Sequence, residues 1–151
     1  MRDDMATTTF YTHLSDIVSF TCRLTQKVFK SGLSVLIWLE DAGKVNELDH
    51  ALWSFNATSF LPHEIWPHSQ PLPVEGQWVL LSYGNDLPAI KADWVVINLA
   101  DVYWSEAPQR PERVLELVAN DLDEVAMARQ RFRTYKEAGF VIEHHDMRKE
   151  K

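Results

Sequence analysis

The five residues VLIWL at positions 35–39 decide the fold. They leave no polar face, so the segment must be covered on both sides, as a strand of a parallel sheet is when helices lie above and below it. Ser31-Gly32 stops a helix just before it, and Glu40-Asp41 closes it. Working outward, Ile17, Phe20, Leu24 and Val28 recur at helical spacing across residues 16–30, with Ser15 as the expected N-cap. Val45, Leu48, Leu52 and Phe55 give residues 44–55 one apolar side, a second helix. TTFY at 8–11 reads as a first strand, and WVLLS at 78–82, WVVINL at 94–99 and RVLELVA at 113–119 as further strands. Residues 141–144 are a last short strand; 56–73, 83–88 and 107–111 are connections. Strand and helix alternate, so the expected architecture is α/β: a single three-layer domain over residues 1–151, with a mostly parallel sheet flanked by helices and flexible ends at 1–6 and 146–151.

Length and composition agree with one domain. A chain of 151 residues, 46% hydrophobic and 25% charged, buries roughly two-thirds of its unfolded surface. Its one cysteine, Cys22, permits no internal disulfide and suits a reducing cytoplasm. MRDDMATTT lacks the apolar core of a secretory signal, and no run approaches the ~20 apolar residues of a spanning helix. A net charge of −7 argues against direct coating of nucleic acid. Six tryptophans are many for this length, and large aromatics beyond core needs mark interfaces.

The most informative surface belongs to the last helix, DLDEVAMARQRFRTYKEAGF at 121–140. Asp121 with Glu124 forms a capping-box variant at its start, and Gly139 ends it. Leu122, Val125, Ala128, Phe132 and Tyr135 fall on one stripe, the packing face. Arg129, Arg133 and Lys136 form a row beside it, with Phe132 at the border. A basic row on an acidic protein fits an anionic partner, and equally fits a solvated helix face with cations toward its C-terminal end. A second stretch, LDHALWSFNATSFLPH at 48–63, places Trp53, Phe60, Leu61 and Pro62 at a helix end and loop. These residues either roof the core or form an exposed apolar interface.

Catalytic signatures are missing. The five glycines, Gly32, Gly43, Gly76, Gly84 and Gly139, are too far apart for a dinucleotide fingerprint or a phosphate loop. The first strand–helix junction, YTHLSD, holds no glycine, so the topology is Rossmann-like without a nucleotide-binding loop. His63-Glu64 is followed by His68 only after Pro67, the wrong spacing for two imidazoles on one helical face, and His144-His145 point to opposite sides of a strand. No metal or other cofactor is expected. Cys22 has no basic residue at helical spacing to activate it, and there is no nucleophile elbow. A binding module is therefore the leading expectation. The alternative is a small-molecule- or nucleotide-binding enzyme domain with its site at the carboxyl ends of the strands.

The ordered set TFY at 9–11, SG at 31–32 before an apolar strand ending in ED, LDxALW at 48–53, SFxPH at 59–63 and ARxRxxxYxxAGF at 128–140 resembles the chi subunit family of bacterial DNA polymerase III. The resemblance covers nearly the whole domain and is weakest over residues 64–107. It implies a non-catalytic replisome subunit that pairs with the psi subunit of the clamp loader and binds the acidic C-terminal tail of single-strand-binding protein. It further implies that Arg129 meets the tail's terminal carboxylate, that Arg133 and Lys136 attract its aspartates, and that Phe132 and Tyr135 wall a pocket for its terminal ring. This chain has phenylalanine at 132 where family members often carry tyrosine, so the ring contact is kept and the phenol hydrogen bond is not. Trp53, Phe60, Leu61 and Pro62 fall on the family's partner-contacting region, assigned to psi or to a helicase competing with it. No direct DNA binding and no membrane are implied.

Overall fold

The computed structural model describes residues 6–55, 61–66, 70–73 and 75–149. The elements in order are β1 (Thr7–Leu14), α1 (Ile17–Lys30), β2 (Ser34–Leu39), α2 (Ala42–Ser54), β3 (Glu64–Ile65), β4 (Val79–Tyr83), β5 (Trp94–Asn98), β6 (Arg113–Ala119), α3 (Leu122–Glu137) and β7 (Val141–Asp146). Short 3-10 turns occupy Trp104–Glu106 and Met147–Lys149. The strands form one seven-stranded sheet in the order β3-β4-β2-β5-β6-β1-β7. Every strand pair in it is parallel, a stricter outcome than the mostly parallel sheet expected.

The continuous apolar runs sit where they must. All six residues of β2 and all five of β5 are buried. Alternate side chains of β2 feed two cores: Val35, Ile37 and Leu39 face α1 and α2, while Leu36 and Trp38 face α3 and the Trp104 turn. Four of the six tryptophans, Trp38, Trp66, Trp94 and Trp104, are buried, so most of the aromatic excess fills the core. Trp38 and Trp104 meet edge to face at 5.5 Å. Trp53 alone among the six is mostly exposed, at 54%.

Several boundaries differ from the sequence expectation, each for a local reason. Asp16, not Ser15, caps α1, its carboxylate accepting the Ser19 N–H at 3.1 Å. α2 begins at Ala42 because Asp41 caps it through the Lys44 N–H. Ala6 is buried rather than frayed, its carbonyl accepting the Val141 N–H. β1 runs on to Leu14, because its neighbours β6 and β7 supply partners as far as Ala119 and Asp146. The register with β6 shifts between Tyr11 and Leu14, and within that irregularity His13 adopts φ 61°. A left-handed backbone at a non-glycine residue is strained and collects at functional sites. β7 runs past the expected end at His144 to include the polar His145 and Asp146.

Candidate functional site

In a Rossmann-like fold a phosphate would sit at the N-terminus of a helix such as α1, α2 or α3. Each is filled by the protein's own carboxylate: Asp16 on α1, Asp41 on α2, and Asp121 on α3, which accepts the N–H groups of Asp123 and Glu124 at 2.8 and 3.1 Å. The crevice at the carboxyl ends of β2, β5 and β6, about 370 Å³, has an apolar floor of Ile17, Val18, Leu39, Leu48 and Leu99. Its rim carries Glu40, Glu47, Asp121 and Glu124 against one cation, Lys44. Burial, with Glu40 nearby, pushes the Glu124 carboxyl above its ordinary range. A phosphate entering here would meet like charge, so the crevice disfavours nucleotides.

α3 is built around a buried polar knot. Glu116, at 0% exposure in the middle of β6, accepts hydrogen bonds from Tyr135 Oη at 2.7 Å, Arg131 Nε at 3.2 Å and Asn98 Nδ2 at 3.0 Å. Arg131 also donates to Asp101 at 2.7 Å, and Trp104 Nε1 donates to Asn98 Oδ1 at 3.2 Å. Burial pushes the Glu116 carboxyl up, with Arg131 and the hydroxyl of Tyr135 pulling the other way. Burial and the adjoining Glu116 likewise push the Tyr135 phenol well up. The buried residues of α3 are thus Ala128, Arg131 and Tyr135. This corrects the expected packing stripe: Leu122 is 89% exposed, and Arg131 turns inward because Glu116 requires a cation.

That rotation fixes the outer face. Arg129, Arg133 and Lys136 are exposed, and none of the three is paired with a carboxylate among the described residues. Arg133 donates instead to Gln130 Oε1 at 3.2 Å. Beside the row lies an apolar pocket of about 270 Å³ between α3 and the end of the sheet. Val125, Ala128, Arg129 and Phe132 line it from α3, Phe10, Thr12 and His13 from β1, and His144 from β7. Phe132, 36% exposed, packs on Phe10 with ring centroids 5.5 Å apart. Of the five residues expected at this surface, Arg129 and Phe132 border the pocket, while Arg133 and Lys136 continue the row beyond it. Tyr135 is not in the wall. It lies beneath, 1% exposed, edge-on to Phe10 and committed to Glu116, so it supports the pocket instead of touching a ligand. The sheet-side wall was missed, because β1 and β7 become neighbours only in the folded register Phe10↔His144.

At the second surface, Trp53 ends α2 with its ring 4.5 Å from that of His63. His63 is buried and both ring nitrogens face oxygens, Nδ1 the Leu61 carbonyl at 2.8 Å and Nε2 the Asp49 carboxylate at 3.1 Å. The imidazole therefore ties the loop to α2. Trp53, Pro62, Glu64, Gln77 and Trp78 surround a depression of about 280 Å³ there. Pro62 is exposed, but Leu61 is only 4% exposed and belongs to the core, because its side chain continues the apolar face of α2. Phe60, like His68 and Pro67, lies outside the described residues. Among the described residues no cluster of three or more metal-ligating side chains converges, and no helix is long and apolar enough to cross a membrane.

Fold and site together define a Rossmann-like α/β domain whose crevice at the carboxyl ends of the strands is acidic and self-capped, and whose α3 carries three exposed cations with no carboxylate partner among the described residues. The family model of the DNA polymerase III chi subunit, HolC, matches residues 5–143. The chain is 33% identical over 127 residues to the DNA polymerase III subunit chi of Pseudomonas aeruginosa, covering 82% of each chain. It is 29% identical over 129 residues to the subunit chi of Escherichia coli K12, covering 85% of this chain and 84% of that one. A shorter match, 29% over 65 residues, reaches the subunit chi of Haemophilus influenzae. The chain belongs to the DNA polymerase III chi subunit family and is thereby an accessory subunit of the replicative polymerase.

Proposed function

We propose that this chain is a non-catalytic bridge in the bacterial cytoplasm. It holds the acidic C-terminal tail of single-strand-binding protein at the Arg129–Phe132 pocket and the psi subunit, or a helicase competing with psi, at the Trp53 surface. It needs no cofactor for either task. The observation that carries the reading is the coincidence of an arginine without a carboxylate partner among the described residues and an exposed aromatic ring at the mouth of one apolar pocket. A chain end that offers a carboxylate beside a hydrophobic ring satisfies both at once. The guanidinium of Arg129 receives the terminal carboxylate in fork geometry, and Phe10, Phe132 and Ala128 receive the ring. Arg133 and Lys136 attract the preceding aspartates. Their effect is local, since the whole molecule carries −7 and its distant field opposes an acidic partner.

The test is direct binding of a synthetic peptide that ends in several aspartates and a C-terminal phenylalanine. Tight binding that falls with added salt, and that collapses when the phenylalanine is removed, supports the reading. Equal binding with and without the terminal ring overturns it. For the second surface, Trp53→Ala should prevent co-purification with psi while peptide binding persists. Loss of both would show that the substitution disturbs the fold.

A further inference from the structure

The crevice at the carboxyl ends of β2, β5 and β6 has a floor and a rim of opposite character. Leu39 and Leu48 close its base, while Ile17, Val18 and Leu99 keep part of their apolar surface open to water. Together they are the uncovered end of the core that α1 and α2 share with the sheet. The space above them, about 370 Å³, has room for an apolar side chain brought by another molecule.

The rim is negative by a margin that the helices do not offset. α1, α2 and α3 all begin here, since Ile17, Lys44 and Asp121 line the crevice. Each helix N-terminus is worth about +0.5 charge. Asp16, Asp41 and Asp121, which cap the three helices, already outweigh that. Glu40, Glu47 and Glu124 come on top. Lys44 is the one cation among the lining residues, and it lies 3.9 Å from Glu47. Glu40 and Glu124 have no cationic partner among the described residues. Burial, then the charge of Glu40, holds the Glu124 carboxyl above its ordinary range; Arg131 pulls the other way but is committed to Glu116 and Asp101.

We infer that this crevice docks a basic, amphipathic segment of a partner protein. An apolar side chain of that segment enters the floor, and a lysine or arginine on either side of it meets Glu40 and Glu124. Charge complementarity selects the occupant. The whole molecule, at −7, draws a cationic segment in from a distance, and the rim receives it. A polyamine or a metal ion would use the rim and leave the apolar floor in water. No three metal-ligating side chains converge among the described residues. An acidic segment would meet like charge here, so this crevice and the α3 pocket suit partners of opposite sign. The inference does not depend on tail binding at α3.

The experiment is NMR titration of the isotope-labelled full chain with the peptide acetyl-Lys-Leu-Lys-amide, which tolerates weak binding. Saturable shifts are expected in the amides of residues 39–48, 99 and 119–124, with those of residues 129–136 unmoved. Affinity should fall as salt is added. It should fall roughly tenfold for acetyl-Lys-Gly-Lys-amide, which has the charges without the apolar side chain. The double substitution Glu40→Gln with Glu124→Gln should weaken binding roughly two- to tenfold, the worth of two partly exposed ion pairs. Absence of shifts at the crevice overturns the inference. So does equal affinity for the glycine peptide, or affinity unchanged by the double substitution. Spermidine that binds the crevice as tightly as the leucine peptide overturns it too, because the site would then serve a free polyamine.

Discussion

Arg129 and Arg131 stand two positions apart on α3 and live in opposite surroundings. Arg131 is 3% exposed and holds Glu116 and Asp101; Arg129 is exposed and holds nothing among the described residues. A buried arginine with two carboxylates is spoken for, and its role is to fix how the helix sits on the sheet. An unpaired arginine at the lip of an apolar pocket costs little to keep in water and has its charge to offer. The difference teaches that charge content alone does not mark a binding helix. What marks it is which of its cations the protein itself has already neutralised.

The largest expected effect comes from breaking the inner member. Arg131→Met should cost roughly 3–5 kcal/mol in urea unfolding, because Glu116 is left buried without its cation. Adding Glu116→Leu should return much of that loss, and a double substitution as damaging as the sum of the singles would refute the account. The outer member should behave in the reverse way. Arg129→Ala should weaken acidic-peptide binding by roughly 1.5–3 kcal/mol, the range for a charged hydrogen bond, with the unfolding midpoint unmoved. Unchanged affinity at low salt would remove the contrast between the two arginines.

A smaller effect concerns the opposite core. Cys22 is 0% exposed on α1, and burial pushes its thiol up to about 11. The native protein should resist thiol reagents at pH 8 until it is unfolded. The folded state holds this proton more tightly than the unfolded chain does, so the contribution is complete below the ordinary thiol value of about 8.5. It is lost as pH climbs toward 11. Rapid labelling without unfolding would show that α1 opens readily. The smallest effect is at Leu122, where 89% exposure predicts that Leu122→Ser changes stability by no more than about 0.5 kcal/mol. A larger loss would mean that the first turn of α3 packs on something.

The arginine contrast also shows where sequence reading reaches its limit. The central sheet was legible because strands covered on both faces leave an unbroken apolar run, as in residues 35–39. The cationic row was legible because helical spacing is a local property. Which arginine turns inward was not, since periodicity placed Leu122 on the packing stripe and did not include Arg131 in it. One clue was present: Glu116 interrupts an apolar strand, and a buried carboxylate needs a cation from somewhere. The last two residues of β7, His145 and Asp146, were left out of the strand because an edge strand need not be apolar and they gave no apolar signal. The pocket wall of Thr12, His13 and His144 could not be assembled without knowing that β1 and β7 lie side by side. On the Trp53 surface, the loop expected to be exposed divides, with Pro62 outward and Leu61 inward, a choice made by the apolar face of α2.

The place of β1 in the sheet has a consequence for how the protein is made. Its two neighbours are β6 and β7, so Thr7 lies against Arg113 and Val141. Within the domain, β1 must therefore wait for β6 and β7 to be synthesised before it has these partners. At ordinary translation rates that wait is roughly 5–20 s. During it, the nascent chain can assemble β2 through β5 around α2 while β1 stays unmatched. Closure of the domain, and with it the α3 pocket, waits until β6 and β7 have emerged.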